Sequence, residues 1–525
     1  MFYKYGVPTG QIAFTSIERY ALSKHLSVGK MYFIRELSRL PYLTNSNLEG
    51  AKLNTRKYKD STQTINKIEI TTNTLTSRGG LAFISHYLEQ IKFYRLLQKN
   101  VRGLHLGKKA VSFIIRQIIF FFIDGTHKAI SGFDSIKKDD GYAAVLEITP
   151  DRLLSSHSIK RFFQKFTYFK CEVLRKVLNA LFIWRLCVKQ PSVIILDIDT
   201  MVLNNDDAKK RHGVDVTYKK VKGFQPLQIT WGTILVDAIF RRGTAHSNHG
   251  TDVQKSLKRV VSLIRKYYRK NVPIILTGDS GFLDEKNLHY FNRSLGIFFI
   301  CFGKLYNDSK EYVSKVPFEN YKEYCKGKMI WYYLEFGNKL KSWKKLGFLR
   351  TIFTKDLCDE DGQMILDIAR PDSVLYTNIG SNQRLTNALK DSGHGDFISA
   401  EKIIETAHMR GCNELINRSL KDLMLSEKLP FKRFGMNTAY YYFMVISHTL
   451  LECYKEDVVV QAAIQTICTT CYPSTFRRQL IDFACQIVSS GNQIILQLMQ
   501  GTYQNIHAEK LWQLCNSKNL IPVPL

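Results

Sequence analysis

The stretch VIILDIDTMVL, residues 193–203, carries four apolar residues straight into Asp197 and Asp199. Strand residues two apart point to the same side. Both carboxylates therefore sit on one face, at the end of an apolar strand. Two chemistries use such a pair. One is an aspartyl-phosphate nucleophile with its general acid. The other is a divalent-metal ligand for phosphodiester cleavage. The second chemistry needs further carboxylates from separate elements, because Mg²⁺ takes hard oxygen ligands and two close ions stabilise the attacking and leaving oxygens of a phosphoryl displacement. VPIILTGDSGF supplies Asp279 at another strand end. The third should lie on a helix packed on the sheet. The segment 398–424 offers Glu414, with Arg410 four residues before it and Lys421 seven after. At about 100° per residue these lie roughly 40° and 20° from Glu414. One stripe then holds a carboxylate for metal and two cations for DNA phosphates. The plainer reading of that stripe is a surface helix with an i, i+4 ion pair.

The elements that must position these groups are legible in outline. From Gly80 to about Gln190 the pattern is helical, with apolar residues at i, i+3, i+4 in LAFISHYLEQIKFYRLLQ and VSFIIRQIIFFFIDG. In LLSSHSIKRFFQKF, Ser158 is expected to cap a basic helix holding Lys160, Arg161 and Lys165. SVIILDID reads as a strand, FQPLQITWGTILVDAIFRRG as one or two more, 252–270 as a helix and VPIILTGD as a buried strand. Short β-rich runs over 295–395 suggest an inserted antiparallel domain. One long helix follows at 398–424, and the remainder reads as helical. The boundaries are 1–80 for a polar N-terminal segment, 81–189 for a helical DNA-binding region, 190–295 and 396–450 for two parts of an α/β core, 296–395 for the β-rich insertion and 451–525 for a helical C-terminal region. The fold class is α/β, a mixed sheet with acidic residues at strand ends.

Composition narrows the partner. Lys and Arg number 75 against 46 Asp and Glu, a net charge of +29. That surplus favours a polyanion, most simply nucleic acid, and the basic runs at 218–223, 265–270, 339–345 and 429–434 spread it over a surface. The alternative is a solvated face in a lysine-rich composition. The eleven Cys are scattered. Cys468 and Cys471 form a CxxC without a second half, so reduced cytosolic thiols are favoured over zinc. MFYKYGVPTG lacks the apolar core of a signal peptide, and the apolar window 111–123 is too short to span a bilayer and contains Arg116. The expected location is cytoplasmic, with the nucleoid, and no membrane partner. GDSG at 278–281 echoes a serine-protease motif, but no His and Asp partners support Ser280 as a nucleophile.

Two families share these features. The Asp-x-Asp strand resembles the haloacid-dehalogenase-like phosphatases, and GDSGFLD resembles their later acidic motif. Met201 stands where they have Thr or Val, no Lys-bearing motif lies between, and the basic charge is left over. Arg410-GCN-Glu414-LINRSL-Lys421 resembles the Tyr-x₂-Arg-x₃-Glu-x₆-Lys signature of cut-and-paste bacterial insertion-sequence transposases with a DDE active site. LDIDTMVL, Arg242-Gly-Thr-Ala-His246 and the GDSGF strand end resemble the same family, as do GGLAFISHYLEQ, RQIIFFFIDG and LLSSHSIKRF. The likeness covers about residues 80 to 500. It implies an RNase H-like core interrupted by the β-rich insertion, Mg²⁺ dependence (two ions, with Mn²⁺ as substitute), and cleavage and strand transfer at the terminal inverted repeats of an element. It implies Asp199, Asp279 and Glu414 as the catalytic, metal-binding triad, with Asp197 as fallback. Arg410 and Lys421 would contact terminal phosphates. The signature's Tyr falls on Ala407, beside His408. DNA contacts are further expected from Lys160, Arg161, Arg242 and His246, although an ordering role in its loop is favoured for His246. Trp331 and Trp343 are candidates to stack a flipped base, against a reading as core. Paired ends imply a homodimer on double-stranded DNA, with the C-terminal helices beyond about 440 as its contact. A catalytically inactive DNA-binding protein from a decayed element is the non-enzymatic alternative.

Overall fold

The computed structural model describes residues 65, 67–101, 111–208, 210–358, 372–424, 427–491 and 493–524. The chain divides into two units, Met1–Thr71 and Thr72–Leu525. In the first, residues 65 and 67–71 are exposed and lie in no helix or strand. The rest of that unit, most of the expected polar N-terminal segment, lies outside the described residues.

The second unit opens on strand β1 (Thr74–Thr76) and the helices α1 (Leu81–Gln90), α2 (Phe93–Asn100) and α3 (Val111–Asp124). α3 is the apolar window of the sequence, buried on nearly every side. Its one cation, Arg116, is tolerated because Glu89 at 3.0 Å and Glu147 at 3.3 Å neutralise it, with the Tyr94 ring alongside. α4 (Ser156–Phe163) begins one turn earlier than its expected cap. The Ser155 hydroxyl accepts from the Ser158 N–H, so Ser155 is the cap and Ser158 sits in the first turn. α5 (Glu172–Lys189) leads into the sheet.

The strands that follow are β2 (Ile194–Thr200), β3 (Leu203–Asn204), β4 (Asp215–Val216), β5 (Lys222–Phe224), β6 (Leu227–Trp231), β7 (Ile234–Ile239), β8 (Ile274–Gly278), β9 (Phe298–Gly303), β10 (Lys322–Lys326), β11 (Met329–Asn338), β12 (Leu349–Cys358) and β13 (Ser373–Thr377). Nine of them form one sheet in the order β10-β11-β12-β13-β9-β8-β2-β6-β7. β2 is parallel to β8 and β8 to β9; every other pair is antiparallel. A parallel neighbour requires a crossover. α6 (Asp252–Tyr267) provides it, burying Val253, Leu257, Val260, Val261 and Ile264 and leaving Lys255, Lys258 and Lys266 outside. β8, the middle strand of the parallel part, is buried at every residue, which explains its apolar run Ile274, Ile275 and Leu276.

The β-rich stretch extends the main sheet. β10–β13 are antiparallel, as expected, but β13 pairs with β9 and prolongs the same sheet. Without it, β9 would end the sheet with open backbone donors and acceptors. One core runs beneath both parts, from Leu196 and Ile198 to Phe353 and Tyr376. The expected single helix at 398–424 is also broken. α7 (Ala400–His408) ends in a 3₁₀ turn, Met409–Gly411, before α8 (Cys412–Met424). Glycine at the break disfavours continuous helix.

α9 (Phe434–Tyr454) is the central helix of the helical half and is buried along almost its whole length. It packs on α3, with Phe122 and Tyr440 ring centroids 4.9 Å apart. α10 (Pro473–Leu480) and α11 (Ala508–Cys515) follow. Between them the expected all-helical C-terminus fails, because β14 (Cys485–Ser490) and β15 (Gln493–Leu498) form a hairpin that pairs with β1. The turn at Gly491, φ +60°, is of the kind that two-residue hairpins require. Among the described residues no helix is long and apolar enough to cross a membrane.

α9 and α8 are joined by His448 Nε2 and Ser419 Oγ, 2.9 Å apart. Burial pushes the His448 imidazole down to about 4, with Glu452 opposing and Lys455 adding to the effect. A depressed pKa gives stability that is fully present above the unfolded value near 6.5 and lost as pH falls through 4. Denaturant melts of wild type are therefore expected to lose on the order of 3 kcal/mol through this group between pH 7 and 4. His448→Gln should flatten that part of the pH slope; an unchanged slope would refute the assignment.

Candidate active site

β2 and β8 lie side by side with Asp197 opposite Thr277. Their ends bring the acidic residues together. Asp197 and Asp199 share a face of β2, as the two-residue period requires. Asp279 follows β8 and caps a short turn, its Oδ1 accepting the Gly281 N–H at 2.9 Å. A side chain at Gly281 would meet Asp279 Oδ1 and Ser247 Oγ at 3.0 and 2.8 Å, so the second glycine of GDSGF is a close-approach residue. Phe282 anchors the turn in the core.

One guanidinium spans the cluster. Arg410 Nε lies 3.3 Å from Asp197 Oδ1, and Nη2 lies 3.3 Å from Asp199 Oδ1 and 3.9 Å from Asp279 Oδ2. Arg410 thus serves as a shared counter-charge to the three carboxylates. Asn417 of α8 donates to Asp199 Oδ2 at 2.8 Å. The two aspartates of β2 differ in setting. Asp197 is only 8% exposed and accepts from the Thr277 hydroxyl. Burial pushes its carboxyl up to about 8, against the opposing pull of Arg410 and Thr277, with Asp199 and Asp279 raising it further. Asp279 is raised as well, first by burial, with Arg410 opposing and Asp199 adding.

Asp199 and Asp279 open onto a cleft of about 610 Å³ that Asp197 does not line. Its other walls are cationic and aromatic: Lys219 and Tyr218 from the β4–β5 hairpin, His408 at the end of α7, and Arg418 and Lys421 on α8. Lys421 is held by Glu427 at 2.9 Å. The Glu414 side chain lies outside the described part of the structure. Its backbone is in the first turns of α8, and Asn417, Arg418 and Lys421, three, four and seven residues on, all line the cleft. Position 414 falls on that helix face by periodicity.

The remaining candidates are placed elsewhere. Arg242 and His246 are exposed on the loop after β7 and are not among the cleft walls. That loop braces the Asp279 turn, since Asn248 Nδ2 donates to the Gly281 carbonyl at 2.6 Å. Lys160 and Arg161 are exposed on α4. Trp331 and Trp343 are corrected to core residues, 3% and 6% exposed. Trp331 stacks on Tyr324 and meets His408, and Trp343 packs edge-on to Tyr376, so neither offers a free face to a base. Ala407, at the signature's Tyr position, is buried, and His408 beside it faces the cleft.

Asn417 and Arg418 were legible as members of the α8 stripe and were passed over. Tyr472 was not legible at all. Its ring lies under the Arg418 guanidinium at 4.7 Å, and Ser474 just after it donates its N–H to Asp422 of α8 at 2.6 Å. Tyr472→Leu is expected to free Arg418 and weaken DNA binding about three- to five-fold, the worth of an exposed cation–π contact. Tyr472→Phe should retain affinity. Equal losses in both variants would show that the ring does not hold Arg418.

Residues 60–518 match the family model described as transposase DDE domain group 1. The chain belongs to that family. DDE transposases use divalent metal ions. The two carboxylates at the cleft, Asp199 and Asp279, are donors that suit a hard cation. Among the described residues, no group of three or more His, Cys, Asp or Glu side chains that could hold a metal occurs. A cryo-EM structure of piggyBac transposase, a synaptic complex with hairpin DNA, aligns over 86% of this transposase and 85% of that chain, at 10% identity and a TM-score of 0.36. A comparison with curated proteins finds no match.

Proposed function

We propose that this chain is the transposase of an insertion-sequence element and that it cuts and joins DNA at the element ends with Asp199, Asp279 and Glu414. The observation that carries the reading is the convergence of Asp199 and Asp279, from adjacent parallel strands, on a cation-walled cleft beneath the Glu414 helix. The strand order β7-β6-β2-β8-β9, with β6 alone antiparallel to the others, supports an RNase H-like core for this site. The phosphatase reading needs Asp197 as a nucleophile that substrate can reach, and its carboxyl is buried and lies outside the cleft walls.

Divalent ions held by the triad, two Mg²⁺ or Mn²⁺ in this reading, would supply charge neutralisation for phosphoryl transfer. The chain's own residues do the rest. Asn417 orients Asp199 by its 2.8 Å hydrogen bond. Arg410 keeps the carboxylates together before substrate arrives. Arg418, Lys421 and Lys219 receive backbone phosphates along the cleft. A water attacks the phosphodiester at each end, and the freed 3′-hydroxyl then attacks target DNA. Paired ends call for two copies of the chain.

The test is incubation of the full chain with duplex carrying the terminal repeats, with Mg²⁺ or Mn²⁺. The expected product is a 3′-hydroxyl at the element boundary, absent with chelator. Binding without cleavage under either ion would favour the decayed-element reading. Hydrolysis of small phosphate esters, abolished by Asp197→Asn, would overturn the proposal in favour of a phosphatase.

A further inference from the structure

A chain of net charge +29 resists meeting its own copy, and its sheet edges show where such a meeting is permitted. Natural sheets guard their edges with charge, shortness or cover. The described edges of this protein follow that rule with one exception. β10 carries Lys322, Glu323 and Lys326, the last paired with Glu405 at 2.5 Å. β7 is buried throughout, with Asn179 of α5 donating to its Val236 carbonyl. β1 has three residues and packs against the helix Asp140–Val145. β4, in the small sheet, has two residues, one of them Asp215. β15 has none of these protections. It runs six residues, its outer edge makes no backbone hydrogen bond among the described residues, and its sequence QIILQL has neither charge nor proline.

The surroundings are equally neutral. No Lys, Arg, Asp or Glu occurs between Asp482 and Glu509, in a chain where such residues make up 23%. Ile494 is 75% exposed and Met499 is 72% exposed. A nucleic acid needs cations, and this segment carries no Lys or Arg. A second copy of the same chain needs a surface without net charge, because elsewhere positive would meet positive. Identical edges also satisfy each other under a two-fold axis, each strand serving the other's open donors and acceptors.

We propose that β15 pairs antiparallel with β15 of a second copy, joining two chains through the C-terminal hairpins. This replaces the C-terminal helices expected as the contact. It rests on the proposed function only for its use, to hold two element ends together. The contact itself is independent of DNA.

Solution mass by sedimentation tests it on the full chain without DNA. Wild type is expected to dimerise at micromolar concentration, and more tightly as salt rises, because salt screens the mutual repulsion. DNA binding moves the opposite way with salt. Ile494→Lys with Gln497→Lys should raise the dimer dissociation constant at least ten-fold, without changing the melting temperature. Mixing it with the matching Ile494→Glu, Gln497→Glu chain should restore a mixed dimer, which a misfolded variant could not do. A wild type that is monomeric at about 50 μM, a range in which specific complexes form, overturns the proposal, as does a lysine variant that dimerises like wild type. End cleavage is scored separately. A chain that dimerises through β15 but never cuts counts against the function and not against the contact.

Discussion

Asp199→Asn, Asp279→Asn and Glu414→Gln are each expected to cut end cleavage by on the order of 10²–10³-fold or more, with DNA affinity nearly unchanged. Each substitution keeps size and removes one negative charge from the group meant to hold hard cations. The two aspartates line the cleft, while the cations that would bind DNA lie on other residues, so chemistry and binding should separate. Asp197→Asn is the internal control. Its carboxyl is buried against Thr277 and does not line the cleft, so most activity should remain. Single-turnover cleavage with Mg²⁺, alongside a binding titration, measures all four. If Asp197→Asn is as inactive as Asp199→Asn, the assignment of roles on β2 is wrong.

Arg410→Met should show the second large effect, on stability and metal response together. The guanidinium lies within 4 Å of three carboxylates, one of them buried. Removing it leaves Asp199 and Asp279 without their shared counter-charge, which costs on the order of 2 kcal/mol. For a chain of this size that is a fall in melting temperature of roughly 2–3 °C. Divalent ions and Arg410 compete for the same oxygens. Mn²⁺ or Mg²⁺ should therefore stabilise the variant more than wild type, since binding only the folded state shifts the melt by mass action. Arg410→Lys should fall between them, because a point charge cannot fork across the cluster. Equal metal shifts in wild type and Arg410→Met would sink the competition. Cleavage by Arg410→Met separates a counter-charge from a phosphate contact: intact activity means the former alone.

What could be read in advance depended on the range of the interaction. The apolar run of β2 with acids two apart, the GDSGF strand end and the crossover helix α6 are local patterns, and the structure contains each as an element of the expected type. The Gly-Asn turn between QIVSS and QIILQL is also local, a hairpin signal with alternation on both sides. The helical pattern on either side of it hides this signal, and the structure has the hairpin there. The break at Met409–Gly411 was missed in the same way, since an apolar period continues across it and only the glycine marks it.

By itself the sequence singled out acidic groups suited to chemistry and the partner that the charge would favour, because residue type and period are properties of short stretches. Tertiary structure decided their company. Asp197 and Asp199 differ by two positions and share a face, yet only packing against Thr277 buries the first and leaves the second at the cleft. Arg410 was expected on a phosphate and lies on carboxylates. Trp331 and Trp343 were candidates for a base and are core. Tyr472 reaches Arg418 from 54 positions along the chain. None of these pairings has a period to betray it: burial, and the charge that neutralises it, are set by what folds back from far along the sequence.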